Sequence, residues 1–260
     1  MKKQNGVLYD VIGADLEVLE TNPNEFWKGV TEIGESAFYG LQNLKFIEIP
    51  EGIEKIGDVA FKNCENLVLV KLPKGLEELG EWCFENCHSL KYINLPEGIK
   101  RLPDAVFFAC INLEKVKLPE SLESVDKYAF YGCRKMHTLH IPNKVKSLGI
   151  FFCSRCERLQ TLTLPREIES LPKYGISECV HLRSFGIPTK TTFIDKTFAI
   201  GCKRLREIDM LVYNGDAYGH IDSKIVKQMR SGELTSDLTK DKDGNVILDK
   251  QPNDIVGRSL

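Results

Sequence analysis

The chain has 260 residues, 42% hydrophobic and 28% charged, and its 35 Lys and Arg nearly balance 37 Asp and Glu. That balance gives no electrostatic footprint for nucleic acid or an anionic membrane, and no apolar run approaches the roughly 20 residues that a membrane span needs. The opening MKKQNGVLYDVIGADLEV is interrupted by polar residues where a secretory signal would be apolar, so the sequence as written is expected in the cytoplasm, or at the cell surface or secreted if a leader was removed.

In chain order, the runs Val7–Val11 and Leu16–Leu19 around Ile12-Gly13-Ala14-Asp15 predict a hairpin, and Thr21-Asn22-Pro23-Asn24 is turn chemistry. From Val30 a pattern recurs every 23 residues, with Leu44, Leu67, Leu90, Leu113, Met136, Leu159, Leu182 and Leu205 in one place and no insertion between copies. A fixed period of this length is the signature of a leucine-rich repeat solenoid, expected over residues 30–210. Residues 1–29 are therefore expected to be a capping hairpin over the open end of the first coil.

Each copy has three parts. Leu-x-x-Ile-x-Ile alternates over its last places, which predicts a short strand with one buried face; stacked copies make a parallel β-sheet on one side of the solenoid. A proline follows at Pro50, Pro73, Pro96, Pro119, Pro142, Pro165 and Pro188. It donates no backbone hydrogen bond and so ends the strand at the same height in each coil. The third part, Ile-x-x-Ile-Gly-x-x-Ala-Phe-x-x-Cys, is too short for a stable α-helix; it predicts an extended segment and a short helical turn on the other side. Ala-Phe is kept at Ala129-Phe130 and then becomes Phe152-Cys153, Gly175-Ile176 and Phe198-Ala199, which predicts less uniform packing after about residue 150. Beyond Met210 the repeat stops. Lys224–Arg230 reads as two turns of helix with Asp222 or Ser223 as N-cap, and Asp243-Gly244 between Leu238 and Val246–Leu248 as a hairpin. Residues 211–260 are thus expected to be a C-terminal cap, with a polar, mobile tail from about Lys250.

Of nine cysteines, Cys64, Cys87, Cys110, Cys133, Cys156, Cys179 and Cys202 lie 23 residues apart. They hold one place in successive coils and read as a ladder of small buried hydrophobes in thiol form. Cys83 takes an Ala place and Cys153 a Phe place. Cys153-Ser154-Arg155-Cys156 is a C-x-x-C, a pattern used in thiol redox chemistry or as half of a zinc site, but no second pair stands at metal spacing. His137 and His140 share a strand three residues apart and are expected on opposite sides of it. Thr239-x-Asp241-x-Asp243-Gly244 has only a faint likeness to a calcium loop, since Lys250 stands where a carboxylate is needed. No metal, cofactor or catalytic constellation is expected.

The third and fifth places of the strand segment point away from the core. Up the sheet they are Phe46/Glu48, Leu69/Lys71, Tyr92/Asn94, Lys115/Lys117, Thr138/His140, Thr161/Thr163, Ser184/Gly186 and Glu207/Asp209. Phe46, Leu69 and Tyr92 would form one apolar ridge, which marks an interaction site. The expected partner-binding residues are Phe46, Leu69, Lys71, Tyr92, Asn94, Lys115 and Lys117, and the partner a protein. Two other readings stand beside this one: adhesion to glycan or matrix through Thr138, His140, Thr161 and Thr163 with Tyr92 as a stacking platform, and a thiol redox or metal protein using Cys153 and Cys156.

The consensus Leu-x-x-Ile-x-Leu-Pro-x-x-Ile-x-x-Ile-x-x-x-Ala-Phe-x-x-Cys resembles the BspA-type (treponemal) leucine-rich repeat from Val30 to Met210, and Asn5-Gly6-Val7-Leu8-Tyr9 resembles the hairpin segment that precedes such arrays. The resemblance implies an origin in gut or oral bacteria or some protists, a role in adhesion or protein binding at the cell surface, and no shared catalytic residues.

Overall fold

The computed structural model describes residues 1–188, 190–211, 217–220, 223–232 and 246–247. Its repeating unit is a coil with three sides, each tied to the next coil. The front side is a ladder of parallel strands: Phe46–Glu48, Leu69–Lys71, Tyr92–Asn94, Lys115–Lys117, Thr138–His140, Thr161–Thr163, Ser184–Pro188 and Glu207–Leu211. Because the period is constant, equivalent residues pair: Phe46 with Leu69, Lys115 with Tyr92, Thr138 with Thr161, Ser184 with Glu207. Alternation then puts Ile47, Val70, Ile93, Leu139 and Leu162 into the core and their neighbours outside. Pro188 departs from the expected rule, lying inside its strand rather than after it.

A second, side ladder is built from two-residue strands, among them Glu32–Ile33, Lys55–Ile56, Glu78–Leu79, Arg101–Leu102, Ser124–Val125 and Ser147–Leu148. These are the extended segments expected after each proline. The third side differs from the expected helical turn. It is a run of tight turns with left-handed backbone at two places per coil, such as Val59 (φ 50) and Asn63 (φ 62), or Trp82 (φ 58) and Asn86 (φ 57). The amides of Val59, Phe61 and Asn63 donate to the carbonyls of Glu81, Cys83 and Glu85 in the next coil, at 2.8, 2.9 and 2.8 Å. Every buried amide must find an acceptor. A neighbouring coil at strand spacing supplies acceptors all along this side, so the segment stays open instead of closing its own helix.

The core runs the length of the array. Phe38, Phe61, Phe84, Phe107 and Phe130 are fully buried and stack face to face, with centroids 4.8, 5.3, 5.7 and 5.7 Å apart. Where Ala-Phe inverts, Phe152 and Phe198 fill the small column instead and Gly175 stands between them; both rings remain fully buried. The face-to-face ring stack thus ends at Phe130, and beyond it the rings of Phe152 and Phe198 stand in the other column.

The N-terminal hairpin uses other strands than expected. β1 (Lys2–Gln4) pairs with β2 (Val7–Tyr9) across Asn5 and Gly6, both at positive φ, the geometry for which Asn-Gly is favoured in two-residue turns. β2 then adds to the side ladder beside Glu32–Ile33. Leu16–Leu19 is not a strand but lies in α1 (Asp15–Thr21), with Leu16 buried. Pro23 opens α2 (Pro23–Trp27), and Asn22 caps it by accepting from the Glu25 amide. Phe26 and Trp27 pack 6.3 Å from Phe38, the first ring of the stack.

At the other end Glu207–Leu211 pairs antiparallel with Ala217–His220. α3 (Ser223–Ser231) falls where the sequence predicts a helix and buries Val226 and Met229. Val246–Ile247 pairs antiparallel with Phe193–Ile194. The expected Asp243-Gly244 turn, the Thr239–Gly244 segment and the tail from Lys250 lie outside the described residues. Among the described residues no helix is long and apolar enough to cross a membrane.

Candidate interaction surface

The front ladder brings the expected ridge together. Phe46, Leu69 and Tyr92 are 48%, 39% and 50% exposed and occupy one column of three paired strands. Val68, 43% exposed and one residue before its strand, widens the ridge; sequence reasoning misses it because strand alternation assigns it no face. The Lys71 ammonium lies 5.7 Å from the Phe46 ring centre and 3.2 Å from Glu48. The Tyr92 hydroxyl donates to Glu114 at 2.8 Å, and that carboxylate raises the phenol pKa above its usual value. Asn94, Lys115 and Lys117 are exposed on the same face.

Several charges elsewhere are paired coil to coil. On the side ladder Lys55 lies between Glu32 (3.9 Å) and Glu78 (3.5 Å), and Lys127 pairs with Asp104 at 3.1 Å. On the front, Lys45, Lys91, Lys115 and Lys117 are exposed, and their side chains have no hydrogen bond, ion pair or ring contact among the described residues.

Thr138, His140, Thr161 and Thr163 are exposed above the ridge. His137 is also exposed, just before its strand rather than on its buried side. Among the described residues no group of three or more His, Cys, Asp or Glu is placed to hold a metal ion.

All nine cysteines are buried free thiols. The seven in the ladder share one contact: each Sγ donates to a backbone carbonyl of the preceding coil, from Cys64 to Phe38 (2.9 Å) through Cys110 to Phe84 (3.0 Å) to Cys202 to Ile176 (3.1 Å). Burial pushes the Cys64 thiol up to about 12. Cys153 and Cys156 lie 3.4 Å apart, Sγ to Sγ. Donation to Cys156, together with burial, raises Cys153. Burial opposes charge on Cys156 too, but the Cys153 and Cys179 thiols directed at it hold its pKa below the usual thiol value. A redox pair needs access and a stabilised thiolate; these two sulfurs sit in the core.

A second surface was not foreseen. Trp82, Phe108, Tyr128, Tyr131, Phe151 and Tyr174 are half-buried on the turn side and in continuous ring contact. The recurrence of aromatics at 82, 128, 151 and 174 is visible in the sequence. Phe108/Tyr131, Tyr128/Phe151 and Phe151/Tyr174 stack face to face, and Lys62 and Lys173 lie over the terminal rings of Trp82 and Tyr174 at 5.3 and 5.1 Å. With those faces already covered, the column reads as an external spine that supports left-handed backbone at bulky residues.

Parallel two-sided ladders with a leucine-lined core and a 23-residue pitch define a leucine-rich β-solenoid. The chain belongs to the BspA-type family within that class: the family model described as BspA type leucine rich repeat region, with six copies, matches residues 31–150 and 123–215. Two solved structures share the fold. One is a leucine rich cell surface protein from Faecalibacterium prausnitzii, 24% identical, covering 69% of this chain and 58% of that one with a TM-score of 0.51. The other is a leucine-rich repeat protein from Bacteroides ovatus, 24% identical, covering 70% and 59%, with a TM-score of 0.53. The chain thus spans less than two thirds of either relative. No curated protein matches it.

Proposed function

We propose that the chain is a non-catalytic scaffold that binds a protein partner at the cell surface on its front ladder, through Phe46, Leu69, Lys71, Tyr92, Asn94, Lys115 and Lys117. One observation carries this reading: three large apolar side chains, each more than a third exposed, are held in one column of a rigid sheet. Exposed apolar patches rimmed by polar groups mark interaction sites, and a solenoid offers such a surface without needing an enclosed cavity. The surface location rests on the family and on the Faecalibacterium relative being a cell surface protein. Residues 1–29 and 211–260 serve as end caps in this reading, α2 covering the first ring of the core stack.

The test is affinity capture from extracts of the source cells with wild-type chain and with a Phe46→Ser/Tyr92→Ser variant. A specific protein is retained by the first and lost by the second, while the urea midpoint moves little, because surface strand substitutions cost at most ~1 kcal/mol. Equal capture by both proteins refutes the assignment. The exposed Thr138, His140, Thr161 and Thr163, two and three coils above Tyr92 on the same face, favour glycan as the second reading. A glycan array separates the two, since protein recognition predicts no sugar hits.

A further inference from the structure

The chemistry of the partner is set by the groups around the ridge. Parallel strands stack about 4.8 Å apart, so neighbouring rows of the front face lie within one side chain's reach. Lys45 and Lys91 precede the first and third strands of the ridge, on either side of Val68; Lys115 stands directly above Tyr92 in the same column, and Lys117 above Asn94. All four are exposed and unpaired among the described residues.

Among the described residues the carboxylates of these rows form no ion pair with these four lysines, though Glu114 keeps its charge beside Lys91 and Lys115. Glu48 is held by Lys71 and Glu114 by the Tyr92 hydroxyl. Beyond the prolines, Glu51 and Glu97 accept from the amides of Lys74 and Ser121 in the next coil. Along the side ladder, by contrast, the same periodicity is used to set lysine against glutamate in successive coils. Four lysines without an ion-pair partner among the described residues thus flank the exposed apolar column of a chain whose net charge is −2.

Resting on the proposed protein-binding role of this face, we propose that its occupant is an acidic, apolar peptide segment: Phe- or Leu-type side chains seated on Phe46, Val68, Leu69 and Tyr92, with Asp or Glu on both flanks reaching Lys45, Lys91 and Lys115. The apolar column favours a peptide over a sulfated polysaccharide, which would use the lysines and leave the ridge wet. Complementary charge at an interface rim acts on encounter rate and specificity and is screened by salt.

The experiment is to pan a library of short random peptides against the full chain and to synthesise the most enriched sequence as the probe. Enriched peptides should combine Asp or Glu with Phe, Leu or Trp. The probe's Kd should rise about tenfold on Lys91→Glu/Lys115→Glu and with increasing salt, and binding should be lost on Tyr92→Ser; circular dichroism confirms that each variant is folded. Neutral or basic enriched peptides overturn the inference. So does a probe that needs Tyr92 but ignores the lysine reversal, an outcome that leaves the protein-binding role standing. Peptides indifferent to Tyr92 and the lysines alike, or no enrichment at all, remove both. Heparin binding that depends on these lysines, without any acidic peptide, assigns the face to an anionic polysaccharide and overturns the inference.

Discussion

A Cβ on Gly175 would sit 2.5 Å from Cε2 of Phe198 and 3.0 Å from Cε1 of Phe152. Both rings are fully buried and neither can swing into solvent. Gly175→Ala should therefore destabilise the chain by ~1–3 kcal/mol, the usual cost of overpacking, although alanine is normally the better-tolerated residue. Trimming the obstructing ring is the control: Gly175→Ala with Phe198→Leu should be more stable, by urea midpoint, than the sum of the two single losses. Simple additivity would mean that the contact is not what fixes glycine there. At this scale the sequence is partly legible. It shows that Ala-Phe inverts near Phe152 and Phe198, and so predicts uneven packing; it does not show that the glycine between them absorbs the volume, because that depends on which way each ring turns. The ridge is legible for a simpler reason. In a strand of fixed period, alternation alone sends Phe46, Leu69 and Tyr92 outward. Val68, Lys45 and Lys91 precede their strands, where no alternation rule applies, and only the three-dimensional fold places them.

The elements that the sequence misassigns are the ones that break the period. Val7–Val11 and Leu16–Leu19 are both short apolar runs, and spacing over so few residues does not separate strand from helix. What decides is context: Asn5-Gly6 makes the tight turn, freeing Asp15–Thr21 to be α1. Likewise the turn side of each coil is too short for local rules, and its conformation is set by carbonyls of the next coil. Of these elements α2 has the clearest energetic role. Phe26 is fully buried against Phe38, so Phe26→Ala should cost ~3–5 kcal/mol, as large-to-small changes of buried aromatics do. Asn22→Ala removes only the cap to Glu25 and should cost ~1 kcal/mol. Urea unfolding of both variants checks the ratio. A loss below that of the cap change for Phe26→Ala would show that α2 does not seal the core stack.

At the scale of the whole molecule the repeat converts one buried thiol into a column that runs through the coils. The ladder cysteines outside the Cys153–Cys156 pair, from Cys64 through Cys202, are raised by burial before anything else, Cys64 to about 12. In the unfolded chain the same thiols ionise near 9. Below that pH both states hold the proton and the thiols leave stability unchanged. Above it the unfolded chain releases protons that the folded chain retains, so stability falls with rising pH until the folded thiols themselves ionise. Each such thiol adds a slope of about 1.4 kcal/mol per pH unit once the unfolded form is ionised. Because the thiols sit in successive coils of one cooperative array, their slopes add, and the fall between about pH 9 and about pH 10.5 should be far steeper than for a chain with one buried cysteine. Lysine and tyrosine also titrate in that window, so the decisive comparison is internal. A Cys64→Ala/Cys87→Ala variant starts less stable at about pH 7.5, having lost two sulfur contacts to carbonyls, yet its urea midpoint should decline more slowly with pH, by the slope of two thiols. Parallel declines in variant and wild type would show that the column does not hold its protons on folding. The same array should keep its thiols unreactive toward an alkylating reagent at about pH 8 until urea opens the coils.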